Sequence, residues 1–424
     1  MSAKRLDQGG RIDRSKPLNF TWDGMAMQGY QGDTLASALL ANNEQILARS
    51  FKYHRPRGIM SAGVEESGAL VTIGSGNRQD PNVKATMQEL YSDLEAFGQN
   101  AWPNVRKDVG AINGLFGRFF SAGFYYKTFM GLPPFEWGKG TGLWMQYEKI
   151  IRKAAGMGTA SREPDPDVYD HAHAFCDVLV VGGGAAGMAA AATAAQAGLD
   201  VILVEQDHEL GGDLLSQSGA AAETQRSELL STLEASGAKI MNRTTAFGLY
   251  DYGAAGLLER VTDHLPVNAL STHTPRQRFW TVRARQTILA TGAIERHMAF
   301  GNNDKPGIMT AAAGRSYLNR YGVLPGQNVV VATNNDSAYQ VAADLKQSGA
   351  DVTLLDARHN ISGSVEGLVS GIETKMNCVP MQAKGNNALQ GLQMASGTPG
   401  NWSAGDNVMA DLLLVSAGWS PVVN

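Results

Sequence analysis

The chain has 424 residues, 43% of them hydrophobic and 18% charged, with a formal net charge of −4. That length accommodates two or three domains with real cores, and the composition is that of a folded globular protein. The mild acidity gives no basis for nucleic acid or an anionic membrane as partner. The N-terminal stretch MSAKRLDQGGRIDRSK lacks an apolar leader core, which predicts a cytoplasmic protein. Cys176 and Cys378 are the only cysteines and lie 202 residues apart, outside any ligand spacing. A redox disulfide, an iron–sulfur cluster and a zinc site are therefore not expected.

The first elements are compact. Phe20-Thr21-Trp22, Asp23-Gly24 and Met25-Ala26-Met27 predict a hairpin, because Asp-Gly suits a two-residue type I′ turn. Asp33 is placed to cap a short helix presenting Leu35, Ala38 and Leu39 on one face. A basic segment, Arg49 to Gly58, follows; it reads as a solvated loop, with a docking surface or a phosphate contact as alternatives. Ala69 to Ile73 predicts a strand. Hairpin, helix, loop and strand in this order resemble a plant-type ferredoxin domain, whose loop carries cluster cysteines; here Gly58 to Glu66 holds no thiol.

Residues 77–158 carry many aromatics, including Trp102, Phe116, Phe119, Phe120, Tyr125, Tyr126, Trp137 and Trp144, without a clean period. Core packing is the expected role, with a partner chain as the alternative. Residues 146–155 predict a short amphipathic helix, and 159–174 a polar linker punctuated by Pro164 and Pro166. His171 and His173 in that linker have no fixed third ligand, so no metal is assigned to them.

The linker runs into Asp177 to Gly212, DVLVVGGGAAGMAAAATAAQAGLDVILVEQDHELGG, the stretch with the most chemistry. An apolar strand enters a glycine turn, an alanine-rich helix follows, and a second strand ends on Glu205, 18 residues past Gly187. This is the dinucleotide fingerprint in its full context: Gly182 for the tight turn, Gly184 for close approach of a pyrophosphate, Gly187 for helix packing. The helix N-terminus favours the phosphates. Glu205 is positioned for a ribose hydroxyl and repels a 2′-phosphate, so NAD or FAD is favoured over NADP. A second glycine turn, Leu210 to Asp213, comes next. Residues 224–236 predict a helix, 239–250 a strand near the adenine, and 279–293 a strand pair ending on the Ala290-Thr291-Gly292 turn.

The fingerprint recurs. Shifted by 151 residues without a gap, it falls on Asn328 to Asp356, NVVVATNNDSAYQVAADLKQSGADVTLLD. Gly182, Gly184 and Gly187 become Thr333, Asn335 and Ala338, and Glu205 becomes Asp356. The side chain at 335 takes the space a pyrophosphate needs, so this copy keeps the fold and loses the phosphate seat. Asp411 to Gly418 echoes the Ile288 to Gly292 turn and is expected to return the chain to the first domain. The expected fold class is α/β, with two nested Rossmann-like dinucleotide-binding domains of the FAD/NAD(P)-binding type behind a small α+β ferredoxin-like domain without cluster cysteines. Expected boundaries are 1–90 for the ferredoxin-like domain, 91–174 for the aromatic segment and linker, 175–300 with 411–424 for the first dinucleotide-binding domain, and 301–410 for the inserted one. The outer sheet then lacks its usual last strand, which predicts that the polypeptide continues beyond Asn424.

Taken together, a thiol-free head containing RSFKYHRPRG, the QNAWPNV, GFYYKTFM and KAAGMG segments, and VGGGAAGMAAA resemble the α subunits of bacterial heterotetrameric sarcosine oxidase. The family's α subunits continue into a folate-binding, aminomethyltransferase-like domain. The resemblance implies an αβγδ enzyme that oxidatively demethylates sarcosine to glycine, hydrogen peroxide and formaldehyde, or 5,10-methylenetetrahydrofolate when tetrahydrofolate is bound. It places FAD and the sarcosine site on the β subunit, covalent FMN at the α/β interface, and a NAD that does not turn over in the α fingerprint. By matching positions, Gly182, Gly184, Ala185, Ala186 and Gly187 meet the pyrophosphate and Glu205 and Gln206 the ribose. Gly212 and Asp213 lie in the second phosphate turn, Ala246 near the adenine, and Thr291 and Gly292 in the closing turn. No catalytic or metal-ligating residue is assigned. The alternative is the large subunit of a related amine, proline or opine dehydrogenase carrying its own FAD. A self-contained dehydrogenase would need an acid or base; His208 and His297 are the candidates nearest the motifs, and a surface role is expected for both. A docking module with an empty pocket is the third reading.

Overall fold

The computed structural model describes residues 3–115, 149, 158–271 and 273–423. Apart from Lys149, the expected helix over 146–155 lies outside these residues, as do the aromatics from Phe116 to Trp144. Trp102 is described and is 71% exposed, so it does not share the core role expected for its segment.

The head is a five-stranded sheet. Strands Asp13–Trp22 and Met25–Gln31 form the expected hairpin, with Trp22 opposite Met25. Asp23 and Gly24 both have positive φ, as a type I′ turn requires. The helix Leu35–Ala41 packs on this sheet, but its cap is Thr34, not Asp33. Thr34 and Ser37 form a capping box, which frees Asp33 to bind Arg5 with both oxygens, at 2.6 and 3.1 Å. The basic segment is no solvated loop. Arg55 and Arg57 both clamp Asp304, with Arg55 Nε 2.8 Å from Oδ2, and so pin the head to the chain beyond the first Rossmann unit.

The first Rossmann sheet has six strands. Lys239–Met241, Val201–Val204, Tyr169–Val181 and Gln277–Leu289 run parallel, and Ala254–Arg260 and Thr244–Tyr250 complete it antiparallel. Val178 to Val181 pair with Val201 to Val204, buried among apolar neighbours on both faces, which is why these runs carry no alternation. Three expectations need correction. The stretch 239–250 is two strands on opposite edges of the sheet, parted by a turn in which Arg243 takes φ +53°. Residues 279–293 hold one long strand, not a pair; the short Ala293–Glu295 pairs with Trp419–Pro421 instead. The second half of the linker is already strand, extending the Tyr169–Val181 ladder along Gln277 to Ala284.

The inserted domain is a parallel five-stranded sheet in the order Ile308–Thr310, Leu412–Ser416, Asn328–Thr333, Asp351–Asp356, Glu373–Met376. A three-stranded antiparallel sheet, Cys378–Lys384, Gly391–Thr398 and Asn401–Met409, packs over it. The internal repeat is thus real in three dimensions, strand for strand and helix for helix. The strand Leu412–Ser416 belongs to this sheet and not to the first domain, contrary to expectation. Its five residues are fully buried, and the Asp411 carboxylate accepts from the N–H groups of Gln327 and Asn328, fixing it beside the repeat's first strand. The chain returns only afterwards, at Trp419 to Val422.

Helix Ala311–Asn319 is the seam between the two domains. Arg320, at its end, pairs with Asp207 at 2.6 and 3.0 Å; Arg315 pairs with Asp213; Ser316 and Asn319 bond Ser216. Among the described residues no helix is long and apolar enough to cross a membrane.

Candidate dinucleotide-binding site

The fingerprint turn leaves little room for side chains, except at one point. Gly182 sits at φ +105°, and a Cβ there would lie 2.3 Å from the Ala290 carbonyl oxygen. A Cβ on Gly187 would lie 1.8 Å from the carbonyl oxygen of Gly182, so helix and turn touch backbone to backbone. A Cβ on Gly184 would meet nothing closer than the Gly212 Cα at 4.0 Å. That opening faces the N-terminus of helix Ala185–Gln196, which Gly184 caps without any side chain. The first-turn N–H groups, Ala185 to Gly187, thus border a space that no atom of the described residues fills, the arrangement that receives an anion.

Glu205 ends the second strand 9% exposed. Its carboxylate accepts from Gly183 N at 2.6 Å and Asp207 N at 2.8 Å, which locks its orientation beneath the glycine turn. Burial raises this carboxyl above its ordinary value, against those two N–H donors, which lower it. Each oxygen keeps a second lone pair for a ribose hydroxyl. The second glycine turn closes on the first: Gly211 N donates to Gly183 O at 2.9 Å, and Gly184 and Gly211 are bridged. Gly211 and Gly212 both need positive φ, at +143° and +54°. Gln206, half-buried, is held through its carbonyl by Arg260 at 2.7 Å. Ala246 precedes a bulge in strand Thr244–Tyr250. Thr291 and Gly292 are tied to the returning chain: the Thr291 hydroxyl donates to Val422 O, and Val422 N to Gly292 O.

The structure therefore gathers Gly182, Gly184, Ala185, Ala186, Gly187, Glu205, Gly212 and Asp213 around one opening, and Thr291 and Gly292 line the turn beside Ala290. Two contributors escaped the sequence reading. Gly183 leaves no room for a side chain, since its Cβ would come within 2.3 Å of Leu210, and it feeds its N–H to Glu205. Arg315 reaches Asp213 from 102 residues away in sequence, with no local pattern to signal it. His208 and His297, expected at the surface, are half-buried. His208 lies 2.9 Å from Asp207, and His297 Nδ1 lies 2.8 Å from Met298 O. Burial works to raise the Asp207 carboxyl, but Arg320 and His208 outweigh it and hold it well below the ordinary range.

The twin is self-satisfied. Asn335 Oδ1 accepts from Ser337 N at 3.1 Å, taking the helix's first donor, while its amide bonds Ser416 at 3.1 Å. Asp356, fully buried, accepts from Tyr339 Oη at 2.7 Å and from Arg358 at 2.8 Å. The groups that stand ready in the first copy are spent on protein in the second.

Comparison with known proteins agrees with this geometry. Residues 176–424, more than half of the chain, match the pyridine nucleotide-disulphide oxidoreductase family. The chain belongs to that family. It carries an oxidoreductase domain of the kind that takes a dinucleotide cofactor. Residues 15–101 match a family described as a 2Fe-2S iron-sulfur cluster binding domain. Over its full length the chain is 44% identical to the sarcosine oxidase α subunit of Rhizobium meliloti (strain 1021), and over 98% of it 35% identical to that of Corynebacterium sp. (strain P-1). It spans 42% and 38% of those proteins' own lengths. The crystal structure of L-proline dehydrogenase from P. horikoshii shares the fold, with a TM-score of 0.62 at 20% identity over 97% of this chain and 62% of that one.

Proposed function

We propose that this chain serves as an α-type subunit of a sarcosine-oxidising complex and holds NAD in its first βαβ unit. The observation that carries the reading is the opening at Gly184, bordered by a helix N-terminus without a side-chain cap and by Glu205 at the strand end. NAD supplies, when bound, an adenosine diphosphate anchor. The chain's own residues bind it: N–H groups of Ala185 to Gly187 at the pyrophosphate, Glu205 and Gln206 at the ribose, Gly212 and Asp213 at the second turn, Ala246 toward the adenine. The ionisable groups nearby favour a holding role over a catalytic one, since Asp207 and Asp213 are engaged by Arg320 and Arg315, and His208 by Asp207. Amine oxidation then falls to a β subunit with FAD and FMN, with γ and δ subunits completing the assembly. Its products are glycine, hydrogen peroxide and formaldehyde, or 5,10-methylenetetrahydrofolate where tetrahydrofolate is bound elsewhere in the α subunit. Likeness to two sarcosine oxidase α subunits over 100% and 98% of this chain, and 42% and 38% of theirs, supports this assignment.

The test is to purify the chain, denature it and identify the released nucleotide by mass spectrometry. NAD in near-equimolar amount is expected. Release of FAD, or amine oxidation by the chain without companion subunits, overturns the proposal.

A further inference from the structure

The head matches a family that binds a two-iron cluster, yet its loop cannot hold one. Plant-type clusters are ligated by thiolates spaced C-x4-C-x2-C, with a fourth cysteine further on. Ser61, Glu66 and Ala69 stand at that spacing here. Thr86, 3% exposed, reaches the loop from beyond it, its hydroxyl 2.8 Å from the Gly63 carbonyl oxygen. Alanine offers no ligand atom and none of the four is a thiol, so the cluster does not fit.

A loop wrapped around an anionic cluster turns its N–H groups inward. Removing the cluster alone would strand those donors in the interior, away from water and without acceptors. The structure shows where they go instead. The Glu66 side chain, 2% exposed, accepts from Met60 N at 2.8 Å and Ser61 N at 2.7 Å on one oxygen, and from Gly68 N at 2.5 Å and Ala69 N at 3.0 Å on the other. Every one of these partners is a donor, so the geometry suits a carboxylate and offers a carboxylic acid proton no acceptor. Among the described residues the buried Ser61 hydroxyl has no hydrogen-bond partner. The loop also bears weight: Met60 O accepts from Thr310 N at 2.9 Å and Ser61 O from Tyr317 Oη at 2.8 Å, both in the inserted domain.

We infer that the Glu66 carboxylate occupies the seat of the lost iron–sulfur cluster, gathering the inward N–H donors around one negative charge. The head is thereby a redox-silent joint that keeps the shape of an electron carrier in order to brace the inserted domain. The inference is independent of what the fingerprint binds.

Two measurements test it on the whole chain. In Glu66→Gln the amide nitrogen faces N–H groups, so hydrogen exchange at residues 60–69 should quicken at least tenfold while strand Asp13–Trp22 stays protected; unchanged exchange in the loop overturns the proposal. The second is the Ser61→Cys/Glu66→Cys/Ala69→Cys/Thr86→Cys variant, treated anaerobically with ferrous iron and sulfide. Visible absorption and a reduced-state electron paramagnetic resonance signal of a two-iron cluster are expected. A folded variant, checked by circular dichroism, that binds no such cluster shows that the loop is not the vacated seat.

Discussion

The two βαβ units of this chain share a register and differ in what they leave unfinished. In both, an apolar strand feeds a turn, a helix and a second strand ending on a carboxylate. In the first, Gly184 puts no side chain over the turn, and no side chain among the described residues caps the helix N-terminus. In the second, Asn335 folds back over the turn and Asp356 is consumed by Tyr339 and Arg358. A dinucleotide seat is thus less a shape than a set of unmet hydrogen bonds held open by missing side chains. Once a side chain supplies those bonds, the same scaffold becomes a structural block.

Exchanging the distinguishing residues tests that contrast most severely. Gly184→Asn adds a side chain to open space, so the ligand-free chain should melt within about a degree of the parent. Nucleotide affinity by calorimetry should fall about a hundredfold, or about 2.7 kcal/mol. The reciprocal Asn335→Gly should add no second nucleotide. Unchanged affinity in Gly184→Asn would show that the turn does not decide binding. Gly187→Ala comes next. Its Cβ cannot coexist with Gly182 O at 1.8 Å, so the helix must lift from the turn. A loss of about 2 kcal/mol is expected in denaturant unfolding. Ala338→Gly in the twin should cost only about 0.5–1 kcal/mol, through backbone freedom. The last contrast lies at the strand ends. Glu205→Gln should weaken nucleotide binding about tenfold, the worth of about 1.4 kcal/mol, whereas Asp356→Asn should leave affinity unchanged and lower the melting temperature.

What the sequence revealed follows from the same chemistry. The hairpin at Asp23-Gly24, the fingerprint and its repeat were legible because each depends on local rules: positive φ, apolar runs, a fixed offset. The sheet that owns Leu412–Ser416 was not. A strand buried on both faces reads alike wherever it sits, and its place was set by Asp411 meeting the N–H groups of Gln327 and Asn328 more than 80 residues earlier. The break at Arg243 was hidden because an arginine at φ +53° leaves no compositional trace. Arg55 and Arg57 signalled charge but not its target, since Asp304 lies almost 250 positions downstream. Around the site, the glycines were visible and the arginines that fix its rim were not.

The paired crossings between the two Rossmann domains have a mechanical consequence. The chain leaves through Ala293–Glu295 and comes back through Trp419–Pro421, and these segments are hydrogen-bonded side by side. Such a ribbon resists twisting far more than a single thread would. Any swing of the inserted domain must also unfasten Arg320 from Asp207 and Arg315 from Asp213 together. The Arg320–Asp207 clasp is largely buried and little screened by salt, and whatever rests in the fingerprint sits at the fulcrum.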